Sequence, residues 1–118
     1  MADFKKLEVW EKAHALSLFS HTVALRIRGA IYASLKNQIV RAAQSIPTNI
    51  VEGRGKKTDR DFARFLGYAL GSATELEYHI IVARDVQAIT QPKASSLLSQ
   101  VIEVKKMLHG LIARLADE

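Results

Sequence analysis

One stretch, residues 35–53, constrains the fold of this chain more than any other. Its apolar residues recur every three or four positions, which is the spacing of one face of an α-helix. Polar residues recur at the same steps, so a second stripe lies about 100° around the same helix. The stretch therefore predicts one helix with a buried face and a hydrogen-bonding face beside it. The apolar stripe is Leu35, Ile39, Ala42, Ile46, Ile50 and Gly53, and the polar stripe is Gln38, Arg41, Ser45, Asn49 and Glu52. Pro47 lies inside this helix and lacks an amide hydrogen, so it is predicted to bend it.

A helix over residues 4–27 is predicted before this central helix. Its apolar face is expected to run through Leu7, Trp10, His14, Ser17, His21 and Ala24, with Ala13, Leu16, Val23 and Ile27 close beside it. A short connection over residues 28–33 follows, and Ser34 is expected to cap the central helix. That helix is predicted to end near Glu52, because Gly53 and Gly55 suit the left-handed conformation of a helix C-terminus.

Two more helices follow the central one, each with one apolar stripe. The first stripe is Phe62, Phe65, Leu66, Ala69, Ala73, Leu76, Ile80 and Ala83, and the second is Leu97, Val101, Val104, Leu108, Leu111 and Leu115. The first helix covers residues 59–86, and Thr58 is expected to cap it by accepting a hydrogen bond from the amide of Asp61. Gly67 and Gly71 within it predict a close helix crossing, since small residues bring backbones together. The last helix begins near Pro92, whose missing donor is harmless in a first turn.

These patterns predict a single domain over residues 1–118 that folds as an all-α, up-and-down four-helix bundle. Strand-like alternation is absent from the sequence. The chain has no cysteine, which excludes disulfides and thiolate metal sites. It shows neither a signal peptide nor an apolar run of the ~20 residues that cross a membrane, so we expect a cytoplasmic protein without a membrane partner.

The positive charge is concentrated in one third of the chain. Nine basic and three acidic residues lie between Arg26 and Arg64, whereas the rest holds eight basic and nine acidic residues. Such asymmetry favours an anionic partner, with nucleic acid first. The expected nucleic-acid-binding set is Arg41, Arg54, Lys56, Lys57, Arg60 and Arg64. The alternative is a solvated basic surface on a protein-protein interaction module.

Catalytic and metal chemistry find little support. Glu11 and His14 form one Glu-x-x-His pair, but a di-iron bundle needs two. The serines lack a glycine elbow. The helical carboxylates are better explained by one buried network that consists of Gln38, Ser45, Asn49, Glu52, Ser72 and Glu75. We therefore predict no enzyme activity, no metal and no cofactor; an enzyme would need a cleft that collects Glu52, Tyr68, Glu75 and His79.

Three segments carry a resemblance to a known family. They are QIVRAAQSIPTNIVEG over residues 38–53, FARFL over residues 62–66 and GSATELE over residues 71–77. With the opening FKKLEVWEKA, they resemble the four-helix bundle family of proteins encoded in intervening sequences of bacterial 23S ribosomal RNA genes. Val40 and Leu70 stand where many members have arginine.

The resemblance implies a homo-oligomer, namely a pentameric barrel like the related accessory proteins of diversity-generating retroelements. It also implies a basic surface that binds nucleic acid, RNA first, and a reverse transcriptase or ribosomal partner. The polar stripes agree with self-association, because they leave surfaces that a second copy could bury.

Overall fold

The computed structural model describes residues 3–116 and contains four α-helices. They are α1 (Glu8–Leu25), α2 (Ala33–Arg54), α3 (Asp59–Asp85) and α4 (Gln91–Ala116). Two 3₁₀ helices, Phe4–Lys6 and Ala30–Tyr32, precede α1 and α2. No strand occurs within residues 3–116.

The helices form an elongated up-and-down bundle. Each helix packs against the next in the chain, and α1 also packs against α4. The described chain measures 47 × 19 × 19 Å, which matches the length of about 40 Å that 27 residues of α-helix span. The all-α four-helix bundle predicted from the sequence is confirmed.

The apolar stripes predicted for α2, α3 and α4 line the core. In α2 the buried positions continue through Pro47, and the helix is not interrupted there; the bend at Pro47 stays a prediction. In α3 the predicted stripe is buried except for Phe65, which is partly exposed. The largest fully buried side chains include Leu16, Ile39, Ile46, Ile50, Leu66, Leu76, Ile80, Leu97 and Leu108.

The face predicted for α1 was wrong in part. The predicted residues Ala13, Leu16, Val23, Ala24 and Ile27 are buried. Val9 and Ser20 are buried as well, whereas His14 and His21, which were predicted on the face, are exposed. Apolar residues lie on several sides of this helix, and Leu18 and Leu25 remain more than half exposed. The sequence pattern of α1 alone therefore does not select the face that α2 and α4 cover.

Two helix ends also differ from expectation. The α-helical part of the first helix begins at Glu8, not at residue 4. Tyr32, not Ser34, occupies the cap position of α2, and the Ser34 hydroxyl accepts a hydrogen bond from Gln38 Nε2 at 3.0 Å. The Thr58 cap is confirmed, because Thr58 Oγ1 accepts from the amide of Asp61 at 3.1 Å.

The glycines act differently from the prediction. Helix α2 continues to Arg54, and Gly55 has an ordinary φ of −79°, so neither Gly53 nor Gly55 is left-handed. A Cβ added at Gly67 or Gly71 would meet no atom within 4 Å. The close crossing predicted at Gly67 and Gly71 is therefore wrong within this chain, and the close approach lies at Gly53 instead.

Candidate nucleic-acid interface

The α2–α3 hairpin depends on close packing at Gly53. A Cβ at Gly53 would lie 2.7 Å from Phe65 Cβ and 3.0 Å from Phe62 Cδ1, which is closer than atoms pack. Only glycine therefore lets the last turn of α2 approach the first turns of α3. The four-residue turn 55–58 then places the basic residues of both helices at one end of the bundle.

The cations at this end lie over aromatic rings. Lys56 Nζ is 4.9 Å, and Arg64 Cζ 5.0 Å, from the centroid of Phe65. Arg54 Cζ is 5.5 Å from the centroid of Phe62. Cation–π contacts of this kind hold charged groups beside apolar surface while leaving them accessible to an anion.

Arg64 contacts two aromatic rings and one carboxylate. Its Nη1 donates a hydrogen bond to the Tyr68 hydroxyl at 3.2 Å, and its Nη2 lies 3.5 Å from Asp61 Oδ1. The Tyr68 hydroxyl and, to a smaller extent, the Asp61 carboxylate raise the pKa of Arg64 above its usual value. The guanidinium thus stays positively charged and is held beside an aromatic ring that is 49% exposed.

Exposed and half-buried basic residues make up the rest of the basic end. Lys57 and Arg60 are exposed, on the turn and on the first turn of α3. Arg54 is half-buried, and its Nε has no hydrogen-bond partner within residues 3–116. We define Arg54, Lys56, Lys57, Arg60 and Arg64 as the basic hairpin.

Phe65 and Tyr68 lie beside the basic hairpin, although the charge pattern of the sequence does not predict a binding role for them. Their rings contact each other edge-on, with centroids 5.3 Å apart. Their helical spacing in the sequence could have indicated this role. Tyr68 follows Arg64 by one helical turn, and Phe65 precedes Tyr68 by three residues. Aromatic surface among cations is typical of sites that bind single-stranded nucleic acid.

Arg41 lies apart from the basic hairpin. Thirteen residues of α2 separate it from Arg54, or about 20 Å along the helix. It is exposed and lines a polar groove between α2 and α3 with Ser45, Ser72 and Glu75. The structure therefore does not bring Arg41 together with the other five predicted binding residues.

The up-and-down topology divides the positive third of the chain between the two ends of the bundle. Arg26, Arg28 and Lys36 flank the α1–α2 connection, whereas the basic hairpin lies at the other end of α2. Lys36 and Arg54 are 18 residues apart, which is about 27 Å of helix. A charge excess that is continuous in the sequence thus becomes two basic ends.

Three of the six predicted network residues are connected. The hydroxyls of Ser45 and Ser72 are 2.8 Å apart, and Asn49 Nδ2 donates to Ser45 Oγ at 3.1 Å. Gln38, Glu52 and Glu75 are exposed. A buried network of all six residues is therefore not formed, because the polar stripe lies at the edge of the α2–α3 contact, where only its middle part is covered.

The residues of the alternative enzyme site do not converge. Glu75 Oε1 and His79 Nε2 are 3.7 Å apart, but Tyr68 and His79 are separated by about 16 Å of helix.

In the part of the chain that the structure describes, the Glu-x-x-His pair of α1 does not belong to a metal site. The ring of His14 stacks on that of Trp10, with the two centroids 4.9 Å apart. Across residues 3–116 no group of three or more His, Asp or Glu side chains is placed to hold a metal ion. None of the helices in that range is long and apolar enough to cross a membrane.

Comparison with known proteins places this geometry in context. The family model described as 23S rRNA-intervening sequence protein matches residues 5–110. A crystal structure of a protein of unknown function from the S23 ribosomal protein family of Bacteroides thetaiotaomicron VPI-5482 superposes with a TM-score of 0.75. The two sequences are 26% identical, and the match covers 88% of this chain and 97% of the other. No curated protein matches this chain.

Proposed function

This chain belongs to the 23S rRNA-intervening sequence protein family, and on that premise we propose that it binds RNA through the basic hairpin. The observation that carries the proposal is the combination of cations and aromatic rings at the α2–α3 turn. Lys56 and Arg64 flank the ring of Phe65, and Tyr68 is half exposed beside them. Cations would contact phosphates while the aromatic rings stack with bases.

The basic hairpin suits RNA with unpaired bases. Its five cations outnumber the three carboxylates close to them in sequence, which are Glu52, Asp59 and Asp61. Asp61 forms an ion pair with Arg64. Phosphate contacts of this kind give affinity without reading sequence, and aromatic stacking accepts any base. The proposed ligand is therefore a single-stranded or looped RNA, bound with little sequence preference.

Salt-dependent binding tests the proposal. A variant with Lys56, Lys57 and Arg60 changed to glutamine removes three exposed cations and keeps Arg54, whose Nε is buried. If all three contact phosphates of single-stranded RNA, the slope of log affinity against log salt becomes shallower by about 2. Fluorescence anisotropy of a labelled RNA over a salt series measures this slope.

A matched control separates location from net charge. Arg28, Lys36 and Lys106 are exposed or half-exposed basic residues outside the basic hairpin, and changing them to glutamine removes the same charge. We expect this control to keep the wild-type slope. Equal loss in both variants, or absence of binding at low salt, would contradict binding by the basic hairpin and favour a protein-protein interaction module with a solvated basic end.

We also propose that the protein self-associates through the outer face of α3. Gly67 and Gly71 leave open space at this face, and Tyr78 on the same side is 64% exposed. Small residues beside an exposed aromatic ring suit a close helix contact with a second copy. Light scattering at micromolar concentration tests this, and a monomer would contradict it; the pentamer implied by the family resemblance predicts five times the monomer mass.

These properties together fit a non-enzymatic accessory protein of a ribonucleoprotein in the cytoplasm. A ring of copies would present several basic hairpins to one RNA and so multiply weak individual contacts. A reverse transcriptase or a ribosomal component is the proposed protein partner. Co-purification from cells with and without ribonuclease treatment distinguishes an RNA-mediated partner from one that contacts the protein itself.

A further inference from the structure

A cleft of about 770 Å³ lies at the end of the bundle opposite the basic hairpin. Its walls are the C-terminal part of α1, the turn between α3 and α4, and the first turn of α4. Its size is within the ~300–1,000 Å³ that is usual for sites of small molecules. Nothing in the RNA-binding proposal uses this cleft.

The charged groups of the cleft are predominantly positive. Arg26, Arg84 and Lys93 line it, together with one carboxylate, that of Asp85. Arg84 Nε donates to Asp85 Oδ1 at 2.9 Å, so this pair is neutral as a unit. Arg26, which directly follows α1, and Lys93 of α4 then supply a net charge of about +2 to the cleft.

Apolar side chains lie between these cations. Ala88 and Ile89 from the turn line the cleft and are half-buried, whereas Val23 from α1 also lines it but is only 6% exposed. Lys93 Nζ is 5.7 Å from the ring centroid of Phe19, which keeps the ammonium group close to α1. The cleft thus offers cations for a phosphate and an apolar surface for a ring.

The turn that forms one wall is fixed by its own hydrogen bonds. The amide of Ala88 donates to Ala83 O at 2.8 Å and that of Gln87 to Arg84 O at 3.0 Å, a pattern that closes a helix C-terminus. The Tyr32 hydroxyl donates to Val86 O at 3.3 Å from the other side. The cleft is therefore formed before any ligand enters.

We propose that this cleft binds a nucleoside monophosphate, either free or as the 5′ end of an RNA strand. The phosphate would lie between Arg26 and Lys93, and the base would cover Ala88 and Ile89. Both sources present the same chemistry, a phosphomonoester attached to a nucleoside.

Isothermal titration calorimetry of the full chain with AMP, adenosine and inorganic phosphate tests the site. We expect AMP to bind saturably and at least ten-fold more tightly than adenosine or inorganic phosphate. Changing Arg26 and Lys93 together to glutamine is expected to lower the affinity for AMP by ten-fold or more. The control changes Arg28 and Lys36, which lie at the same end but do not line this cleft, and is expected to leave AMP affinity unchanged.

Short RNAs with a 5′-phosphate or a 5′-hydroxyl distinguish the two sources. If the phosphorylated RNA binds more tightly than both AMP and the hydroxyl form, the natural ligand is an RNA end; if AMP binds as well or better, it is the free nucleotide. Equal binding of AMP and phosphate, an unchanged affinity in the Arg26→Gln, Lys93→Gln variant, or no saturable binding would overturn the proposal. Circular dichroism of the variant verifies that the bundle is intact.

Discussion

Gly53 and Phe65 approach so closely that a Cβ at Gly53 would lie 2.7 Å from the Cβ of Phe65. This contact joins the end of α2 to the start of α3. Arg54 directly follows the glycine, and Arg64 directly precedes the phenylalanine. The same close packing that closes the hairpin therefore also sets the positions of cations on both helices.

Changing Gly53 to alanine is expected to destabilise the protein by about 1–3 kcal/mol, because the added methyl group overpacks the hairpin. The result would oppose the helix propensity of alanine, which alone favours the variant by ~1 kcal/mol. Urea unfolding followed by circular dichroism measures the change.

Gly67→Ala is the control for this substitution. The added Cβ would meet no atom within 4 Å in the chain. The higher helix propensity of alanine is therefore expected to raise the free energy of unfolding of the monomer. A neutral or stabilising Gly53→Ala would show that the hairpin has room for a side chain, against the packing described.

The sequence predicted the fold because three of the four helices have only one continuous apolar stripe. In α2, for example, Ile39, Ile46 and Ile50 recur at helical spacing and are all buried. In α1 the same criterion located the face only in part, because leucines lie on two sides and Ser20, a polar residue, is buried. Choosing between such faces requires the positions of the neighbouring helices.

The candidate site could be predicted only in part. Lys56, Lys57 and Arg60 are close in sequence and remain close in space, so their cluster was visible. Arg41 lies on the same helix as Arg54, yet a helix separates residues by 1.5 Å each, and the distance places it outside the cluster. The cleft at the opposite end joins residues of α1, α3 and α4, which no local pattern connects.

The hydroxyls of Ser45 and Ser72 are predicted to be coupled. They are 2.8 Å apart between α2 and α3 and half-buried, and the Ser45 hydroxyl also accepts a hydrogen bond from Asn49 Nδ2. Each single change to alanine is expected to cost ~1 kcal/mol, because the remaining hydroxyl loses its partner. The double variant is expected to cost less than the sum, with a coupling of about 0.5–1 kcal/mol in a double-mutant cycle. Strict additivity would indicate that water replaces the bond without loss.

Gln87 is predicted to weaken the α3–α4 turn. Its φ is +64°, which makes it left-handed at a helix C-terminus where glycine is favoured. Since this conformation costs an L-residue ~1–2 kcal/mol, Gln87→Gly is expected to raise the free energy of unfolding by about 1 kcal/mol. Gln87→Ala keeps the strain and should leave stability close to wild type. A glycine variant no more stable than the alanine variant would mean that the backbone is not strained there.

Tyr68 provides the test that separates stacking from charge at the basic hairpin. It is 49% exposed and holds Arg64 through its hydroxyl, but it carries no charge at neutral pH. If a base stacks on its ring, Tyr68→Leu is expected to weaken RNA binding by about 5- to 150-fold, the range of ~1–3 kcal/mol for one stacked base. The slope of log affinity against log salt should stay within about one unit of wild type, because no cation is removed.

Tyr78→Leu is the matched control for Tyr68→Leu, since Tyr78 is 64% exposed on the same helix about 15 Å away. Tyr78 lies on the face proposed for self-association, so the variants are compared at a concentration where light scattering gives both the same mass as wild type. Under that condition we expect Tyr78→Leu to leave RNA affinity unchanged in a titration at fixed salt. An equal loss in both variants would point to a general effect on α3 or on self-association. A Tyr68→Leu variant that binds as wild type would reduce the basic hairpin to a purely electrostatic site. Loss in Tyr68→Leu alone would show that bases, as well as phosphates, contact this end of the bundle.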